Sequence, residues 1–194
     1  TESCDVVLCR LAAVFSQPDK PQGRKQILTP PDVKVCAQKY DIPVYQPNTL
    51  KDGSSTAVLK EIAPDLIVVV AYGKLIPQEV LDIPQYGCIN VHASLLPKLR
   101  GAAPIQWSVI NGEKETGVTT MQLDAGLDTG DILLVKKTDI LENETSGELF
   151  DRLKVLGAEL LLETIDAILA GTLNPVKQDD SQSTYASMLN KSIS

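Results

Sequence analysis

The chain of 194 residues carries 18 Lys and Arg against 25 Asp and Glu, a formal net charge of −7, and is 43% hydrophobic with a mean hydropathy of +0.01. That length supports one sizeable globular core, while the acidic balance argues against this segment alone gripping a nucleic acid by its phosphates. The longest apolar run, Leu66–Ala71, is too short to cross a bilayer, no charged segment followed by an apolar stretch suggests secretion, and the four scattered cysteines form no C-x-x-C, as expected of reduced thiols in a cytoplasmic protein without structural zinc.

Taken in order, Thr1–Leu11 is predicted to be a short helix, with Ser3 as N-cap and Val6, Val7 and Leu11 on one side. Ala12–Phe15 reads as a strand. No connection is visible between the two, so residues are expected to be missing near Leu11–Ala12, and the chain is expected to be a trimmed protein that lacks its opening strand. Ser16–Lys34 holds four prolines, four basic residues (Lys20, Arg24, Lys25, Lys34) and two acidic ones (Asp19, Asp32), and is predicted to be a long loop. Its charge alone favours an ordinary solvated loop. Asp32–Tyr40 is predicted to be a helix opened by Pro31, Pro43–Gln46 a short strand, and Leu50–Ile62 a polar helix or loop. Leu66–Ala71 (LIVVVA) has the continuous β-branched pattern of a central parallel strand buried on both faces. A short helix (Pro77–Asp82) and a strand (Cys88–His92) follow.

Ala103–Asn111 is predicted to be a helix stopping at Asn111-Gly112. Thr116–Leu123 and Ile132–Lys136 read as strands, joined by an acidic, glycine-rich loop, Asp124–Asp131. The last helix has the clearest signature: Thr145 and Glu148 form a capping box. Leu149, Phe150, Leu153, Leu156, Leu160, Leu161, Ile165, Ile168 and Leu169 then make a broad apolar stripe that ends at Gly171. The polar, serine-rich tail from Thr172 reads as a linker. Alternating strands and helices predict an α/β class, a Rossmann-like three-layer sandwich with a mostly parallel central sheet. One catalytic domain is expected over 1–175, with a linker over 176–194.

The candidate chemistry centres on His92, the one histidine in the chain, two residues after Asn90. Residues i and i+2 of a strand share a face, so an amide and an imidazole converge on one small object and suit an oxygen that becomes an oxyanion. By itself such a pair better suits a turn cap beside a hydrogen-bonded, half-buried ring, and it is the residues around it that favour the oxyanion reading. Ligands of open α/β sheets bind beyond the carboxyl ends of strands, and three loops are expected there: Tyr72–Pro77, His92–Gly101 and Asp124–Asp131. The last supplies Asp124, Asp128 and Asp131. Without an EF-hand's spacing or distal Glu, these carboxylates are expected to bind no metal.

Together, VVVAYGKLIP (Val68–Pro77), CINVHASLLPKLRGAAPIQ (Cys88–Gln106) and ETGVTTMQLDAGLDTGDIL (Glu115–Leu133) resemble the methionyl-tRNA formyltransferase family. QPDKPQGRK (Gln17–Lys25) and TPPDVK (Thr29–Lys34) are similar to that family's characteristic insertion. The resemblance covers nearly all of the chain, in order. It implies transfer of formyl from 10-formyltetrahydrofolate, a cosubstrate, to the α-amino group of methionyl initiator tRNA, by a cytoplasmic monomer with no metal. It further implies Asn90, His92 and Asp128 as the catalytic trio, and folate binding by Ser94, Leu95, Leu96 and Pro97 with Lys74, Leu75 and Ile76 bordering the pterin. Arg24, with Lys25 beside it, is implied as a contact to the tRNA acceptor arm, although the family's G-R-G-K-K reads G-R-K-Q here. The family's basic tRNA-binding barrel domain would begin beyond Ser194. Alternatives are another formyltransferase of the folate-dependent superfamily, acting on glycinamide ribonucleotide or an amino sugar nucleotide, a formyl-folate hydrolase, and a catalytically silent Rossmann-like binding module.

Overall fold

The computed structural model describes residues 9–190, which divide into two units, one ending at Pro64 and one from Asp65 onward. In the first unit, β1 (Val14–Phe15) pairs parallel with β4 (Val44–Tyr45), and the Phe15 and Tyr45 rings stack at 4.9 Å. Between them lie β2 (Lys20–Gln22), β3 (Ile27–Thr29) and helix α1 (Asp32–Lys39), and helix α2 (Ser54–Ile62) follows β4. The predicted helix over Thr1–Leu11 lies outside the described residues as far as position 8. Cys9–Ala13 form neither helix nor strand, and Leu11 is 62% exposed, so no buried face is there to stabilise a lone turn.

The long loop predicted over Ser16–Lys34 is instead largely an antiparallel ribbon, with Lys20 opposite Thr29 and Gln22 opposite Ile27. Pro21 is tolerated because a two-stranded ribbon is all edge. Its base is tied down by Lys34 Nζ, which donates to both oxygens of Asp19 at 2.9 Å and to Gln46 Oε1 at 2.7 Å. Gln46 Nε2 donates in turn to Asp19 Oδ1 and the Gln17 carbonyl. These hydrogen bonds, that from Gln46 foremost, hold the Asp19 carboxyl below its ordinary value.

The second unit is built on a four-stranded sheet. Its elements in order are β5 (Ile67–Val69), α3 (Gln78–Leu81), β6 (Cys88–His92), β7 (Arg100–Gly101), α4 (Pro104–Ile110), β8 (Glu115–Gln122), β9 (Ile132–Asp139), α5 (Ser146–Leu169) and β10 (Tyr185–Ala186). The sheet order is β5-β6-β8-β9, with β5 and β6 parallel and β8 and β9 antiparallel to their neighbours. The α/β class is as the alternation predicts. β5 is not the doubly covered central strand that LIVVVA suggested. Among the described residues it pairs only with β6, and Val68 and Val70 are 38% and 55% exposed.

Helix α5 begins as its capping box dictates: Thr145 Oγ1 accepts from Glu148 N–H, and the Glu148 carboxylate accepts from Thr145 N–H at 2.9 Å. Its buried positions are Leu149, Leu153, Gly157, Leu160 and Thr164, a narrower stripe than predicted; Phe150 is 54% exposed. That stripe packs with Ile105 of α4 and Val118 of β8, and Val91 and Ala93 press against the same cluster. At Gly157 the helix comes so near the sheet that a Cβ would sit 3.1 Å from Val91. Within the cluster Thr120 and Thr164 share a hydrogen bond of 2.8 Å, and Thr164 Oγ1 also meets the Leu160 carbonyl at 2.7 Å, so both buried hydroxyls are satisfied.

The tail expected as a linker from 176 is folded into this unit. Val176 bridges Ile132, Tyr185–Ala186 pair parallel with Arg100–Gly101, and Trp107 Nε1 donates to the Ser187 carbonyl. No helix of the described residues is long and apolar enough to cross a membrane.

Candidate active site

The site lies on the face of β6 away from α5. Because side chains alternate along a strand, Val91 and Ala93 point into the helix-covered core and Asn90 and His92 point the other way. Asp128 meets them there: its Oδ1 lies 3.5 Å from Asn90 Nδ2 and its Oδ2 lies 3.7 Å from His92 Nδ1. The His92 side chain is 6% and the Asp128 side chain 12% exposed, and Asn90 is half-buried. The sequence-predicted trio is therefore brought together.

His92 Nε2 lies 2.9 Å from the Leu99 carbonyl. A carbonyl oxygen only accepts, so Nε2 carries a hydrogen and Nδ1 is the ring atom that faces Asp128. Leu99 and Asp128 both adopt left-handed backbone, φ 57° and 53°, a conformation that costs a β-carbon-bearing residue about 1 kcal/mol or more. Each is held by its neighbours. Leu99 N–H donates to Thr184 Oγ1 at 2.8 Å, and Asp128 Oδ2 accepts from Gly101 N–H at 2.8 Å.

The route by which Asp128 arrives differs from expectation. β8 runs antiparallel to β6, with His92 opposite Thr119 and Ile89 opposite Gln122, so the loop after β8 leaves at the amino end of β6. It then folds back over the sheet face before Asp131 accepts from Gln122 N–H and β9 begins. Asp124 does not join the site; it is occupied by Thr129 Oγ1 and Gly126 N–H within its own loop.

Ser94 is buried, but its hydroxyl donates to the Lys98 carbonyl at 2.6 Å, closing the turn that holds Leu95, Leu96 and Pro97. Thr119 Oγ1 braces that turn by donating to the Ser94 carbonyl and accepting from Leu96 N–H. Thr119 and Thr184 were not foreseen; each reads in sequence as an ordinary strand or linker threonine. In the Tyr72–Pro77 loop, Lys74 Nζ stands 6.0 Å from the Tyr72 ring centre, Leu75 is 65% exposed and Ile76 half-buried. Because β5 and β6 are parallel, this loop and the one after His92 leave the same end of the sheet. In the first unit, Arg24 and Lys25 occupy the exposed turn of the β2–β3 ribbon.

Cys88, at the start of β6, is no nucleophile: burial, and the Asp82 charge after it, push its thiol up to about 12. Among the described residues no group of three or more His, Cys, Asp or Glu could hold a metal ion. The chemistry available is hydrogen-bond donation from an amide and a ring N–H, beside one carboxylate that can take a proton.

The chain resembles known proteins over most of its length. A methionyl-tRNA formyltransferase of Geobacter sulfurreducens is 56% identical over 179 residues, covering 92% of this chain and 56% of the relative. The enzyme of that name from Acetivibrio thermocellus is 54% identical over 183 residues, covering 94% and 59%. The chain thus spans somewhat over half the length of these relatives. Among solved structures, the formyltransferase PseJ from Anoxybacillus kamchatkensis, in complex with UDP-4,6-dideoxy-4-formamido-L-AltNAc and tetrahydrofolate, superposes with a TM-score of 0.66 at 26% identity, covering 91% of this chain and 85% of that one. Glycinamide ribonucleotide transformylase 1 from Symbiobacterium toebii shares the fold, with a TM-score of 0.66 at 23% identity over 74% of this chain and 73% of that one. The formyl transferase family model matches residues 3–165, and the chain belongs to that family.

Proposed function

We propose that this chain carries the transfer centre of a methionyl-tRNA formyltransferase, which moves formyl from 10-formyltetrahydrofolate to the α-amino group of methionyl initiator tRNA in the cytoplasm. The observation that carries the reading is the convergence of Asn90, His92 and Asp128 on one sheltered face. The tRNA acceptor is favoured by identities near 55% to enzymes of that name, against 26% or less for the sugar and glycinamide ribonucleotide enzymes.

In this reading the neutral amine attacks the formyl carbon, a C–N bond forms, and the carbonyl electrons move onto oxygen. Asn90 Nδ2 and the Nδ1–H of a protonated His92 donate to that oxyanion, since Nε2 is engaged by Leu99. Asp128 keeps the ring oriented and, directly or through a water, takes the amine's proton. The oxyanion then collapses, the bond to N10 of the folate breaks, and N10 leaves with the proton that Asp128 took from the amine, passed on directly or through a water. No covalent enzyme intermediate is required. The Ser94–Pro97 turn and the backbone of Lys74, Leu75 and Ile76 would border the folate, with Ser94 shaping the turn through its own hydrogen bond. Arg24 and Lys25, on an exposed ribbon tip in an otherwise acidic chain, would meet acceptor-arm phosphates.

The test is formyl transfer by the full-length protein from 10-formyltetrahydrofolate to charged initiator tRNA, with glycinamide ribonucleotide run in parallel. Transfer to the tRNA that disappears in His92→Ala is expected. Folate binding without transfer to either acceptor would overturn the acceptor assignment and bring the hydrolase and sugar-nucleotide readings forward.

A further inference from the structure

A buried glutamine stands out in the tail after α5, where nearly every neighbour is exposed. Gln178 is 7% exposed, and all of its hydrogen-bonding capacity points at the site's supporting loops. Its Nε2 donates to the backbone carbonyl of Asp128 at 2.9 Å and to that of Gly130 at 2.7 Å. Its Oε1 accepts from Arg100 Nε at 3.0 Å and Arg100 Nη2 at 2.7 Å. Arg100 is itself 9% exposed, and the amide of the next residue, Gly101, donates to the Asp128 carboxylate. The result is a closed ring. Asp128 is held at its carboxylate by Gly101 N–H and at its carbonyl by Gln178, and the two holds are joined through the Arg100 guanidinium.

This ring answers a specific need. Asp128 sits in left-handed backbone on a loop that has folded back over a sheet face, and its contacts to Asn90 and His92 are 3.5 and 3.7 Å long. Neither contact is short enough to fix the carboxylate by itself. We propose that Gln178 is a positioning residue for the Asn90–His92–Asp128 constellation, setting where the Asp128 carboxylate stands by clamping the backbone carbonyls on either side of Thr129 to Arg100. The inference rests on the reading of those three residues as the reacting set. It also makes the tail after α5 part of the transfer centre.

The donor and acceptor pattern supplies a discriminating substitution. Gln178→Glu keeps the shape and the oxygen that faces Arg100, but sets a second oxygen, with no hydrogen, 2.7–2.9 Å from two carbonyl oxygens. The Arg100 side of the ring survives while the Asp128 side is repelled. Gln178→Met, which keeps the volume and removes both sides, serves as the second variant if the first does not fold by far-ultraviolet circular dichroism. In the full-length protein, kcat is expected to fall about 10- to 100-fold, with KM for folate and acceptor within about threefold. In an Asp128→Asn background the same change should cost no more than about threefold further, because the group it positions is already disabled. Asp180→Asn is the control: its 79% exposed carboxylate touches Arg100 but neither Gln178 nor Asp128, and kcat should stay within about twofold.

A second readout does not depend on the acceptor. His92 is the one histidine among these 194 residues, and in the full-length protein its ring resonances are identified as those lost in His92→Ala. The His92 ring signal should move in Gln178→Glu and stay in place in Asp180→Asn. An unmoved resonance overturns the proposal, as does a kcat within threefold of wild type, or a full loss persisting in the Asp128→Asn background. A wild-type protein that transfers formyl to no acceptor would defeat the functional reading instead, and the resonance alone would then decide the role of Gln178.

Discussion

Asn90→Ala separates catalysis from folding more cleanly than any other change at the site. Among the described residues the only hydrogen bond of the Asn90 side chain is the one to Asp128 Oδ1, and at 3.5 Å it lies at the outer edge of hydrogen-bonding geometry. Removing it should cost the folded state no more than about 0.5–1 kcal/mol, a Tm shift of no more than about 4 °C for a domain of this size. The backbone pairing of residue 90 with Val69 and Met121 is untouched. In the transition state the same amide is proposed to donate to a full oxyanion in a sheltered site, where loss of one such donor costs about 100- to 1,000-fold in kcat, or about 3–4 kcal/mol. His92→Ala is less informative, because it also leaves the Leu99 carbonyl without its 2.9 Å partner. The assay is single-turnover formyl transfer at saturating folate, alongside a thermal melt of the same sample. A kcat within threefold of wild type would show that Asn90 does not serve the oxyanion. A large drop in Tm accompanying the loss would show that its role is structural.

Three further outcomes are expected. Gly117→Ala should destabilise the second unit by about 1–3 kcal/mol, read from urea denaturation, because the new Cβ would run into the Lys136 carbonyl of the paired strand and come within 2.6 Å of Leu95 Cδ2; an unchanged midpoint would refute that packing. The Glu144 carboxylate takes a two-pronged contact from Arg152 at 2.6 and 2.7 Å, which, with the Leu141 N–H, holds its carboxyl below the ordinary value of 4.5. A lowered carboxyl contributes stability that is present above its ordinary value and is lost as pH falls through the lowered one. Urea midpoints measured down a pH series should therefore fall less steeply below about pH 4.5 in Glu144→Gln than in wild type, and matching slopes would count against the pair. In the first unit, the double change Arg24→Ala and Lys25→Ala should raise KM for charged tRNA, leave kcat at saturation unaltered, and flatten the slope of log affinity against log salt by about two; an unchanged slope would remove both residues from the tRNA interface.

What could be read in advance was local chemistry and strand periodicity. The cap of α5 follows from Thr145 and Glu148 alone, since both partners of each hydrogen bond lie within four residues. The shared face of Asn90 and His92 follows from the two-residue period of a strand. Asp128 was identified by family resemblance, and the periodicity of its strand would have misplaced it: β8 runs antiparallel, and its loop leaves from the wrong end of β6 before returning over the face. That return is set by Gly101 N–H and Gln178, which are 27 and 50 residues away. No local pattern encodes such contacts. The ribbon of β2 and β3 was hidden by its prolines, and LIVVVA suggested a doubly covered strand although only three of its residues pair, along a single edge. The tail misled in the same way, because serines and aspartates that read as linker surround one buried glutamine.

The alternation of β6 gives its two sides different kinds of support. Val91 and Ala93 are set against α5, and at Gly157 the helix approaches closely enough that even a methyl group would crowd Val91. That contact sets how closely the helix can approach the strand that carries Asn90 and His92. On the opposite side the site side chains are held by hydrogen bonds. The ring of His92 is held by a carbonyl, Leu99, and the carboxylate of Asp128 by an amide, Gly101, and the segment that carries both, which ends in β7, is fastened to the chain after α5. Substitutions behind the strand should therefore act mainly through stability, whereas those that remove the holds made by Leu99, Gly101 or Gln178 should act chiefly on rate. This follows because hydrogen bonds between loops orient reacting groups while contributing little net free energy each.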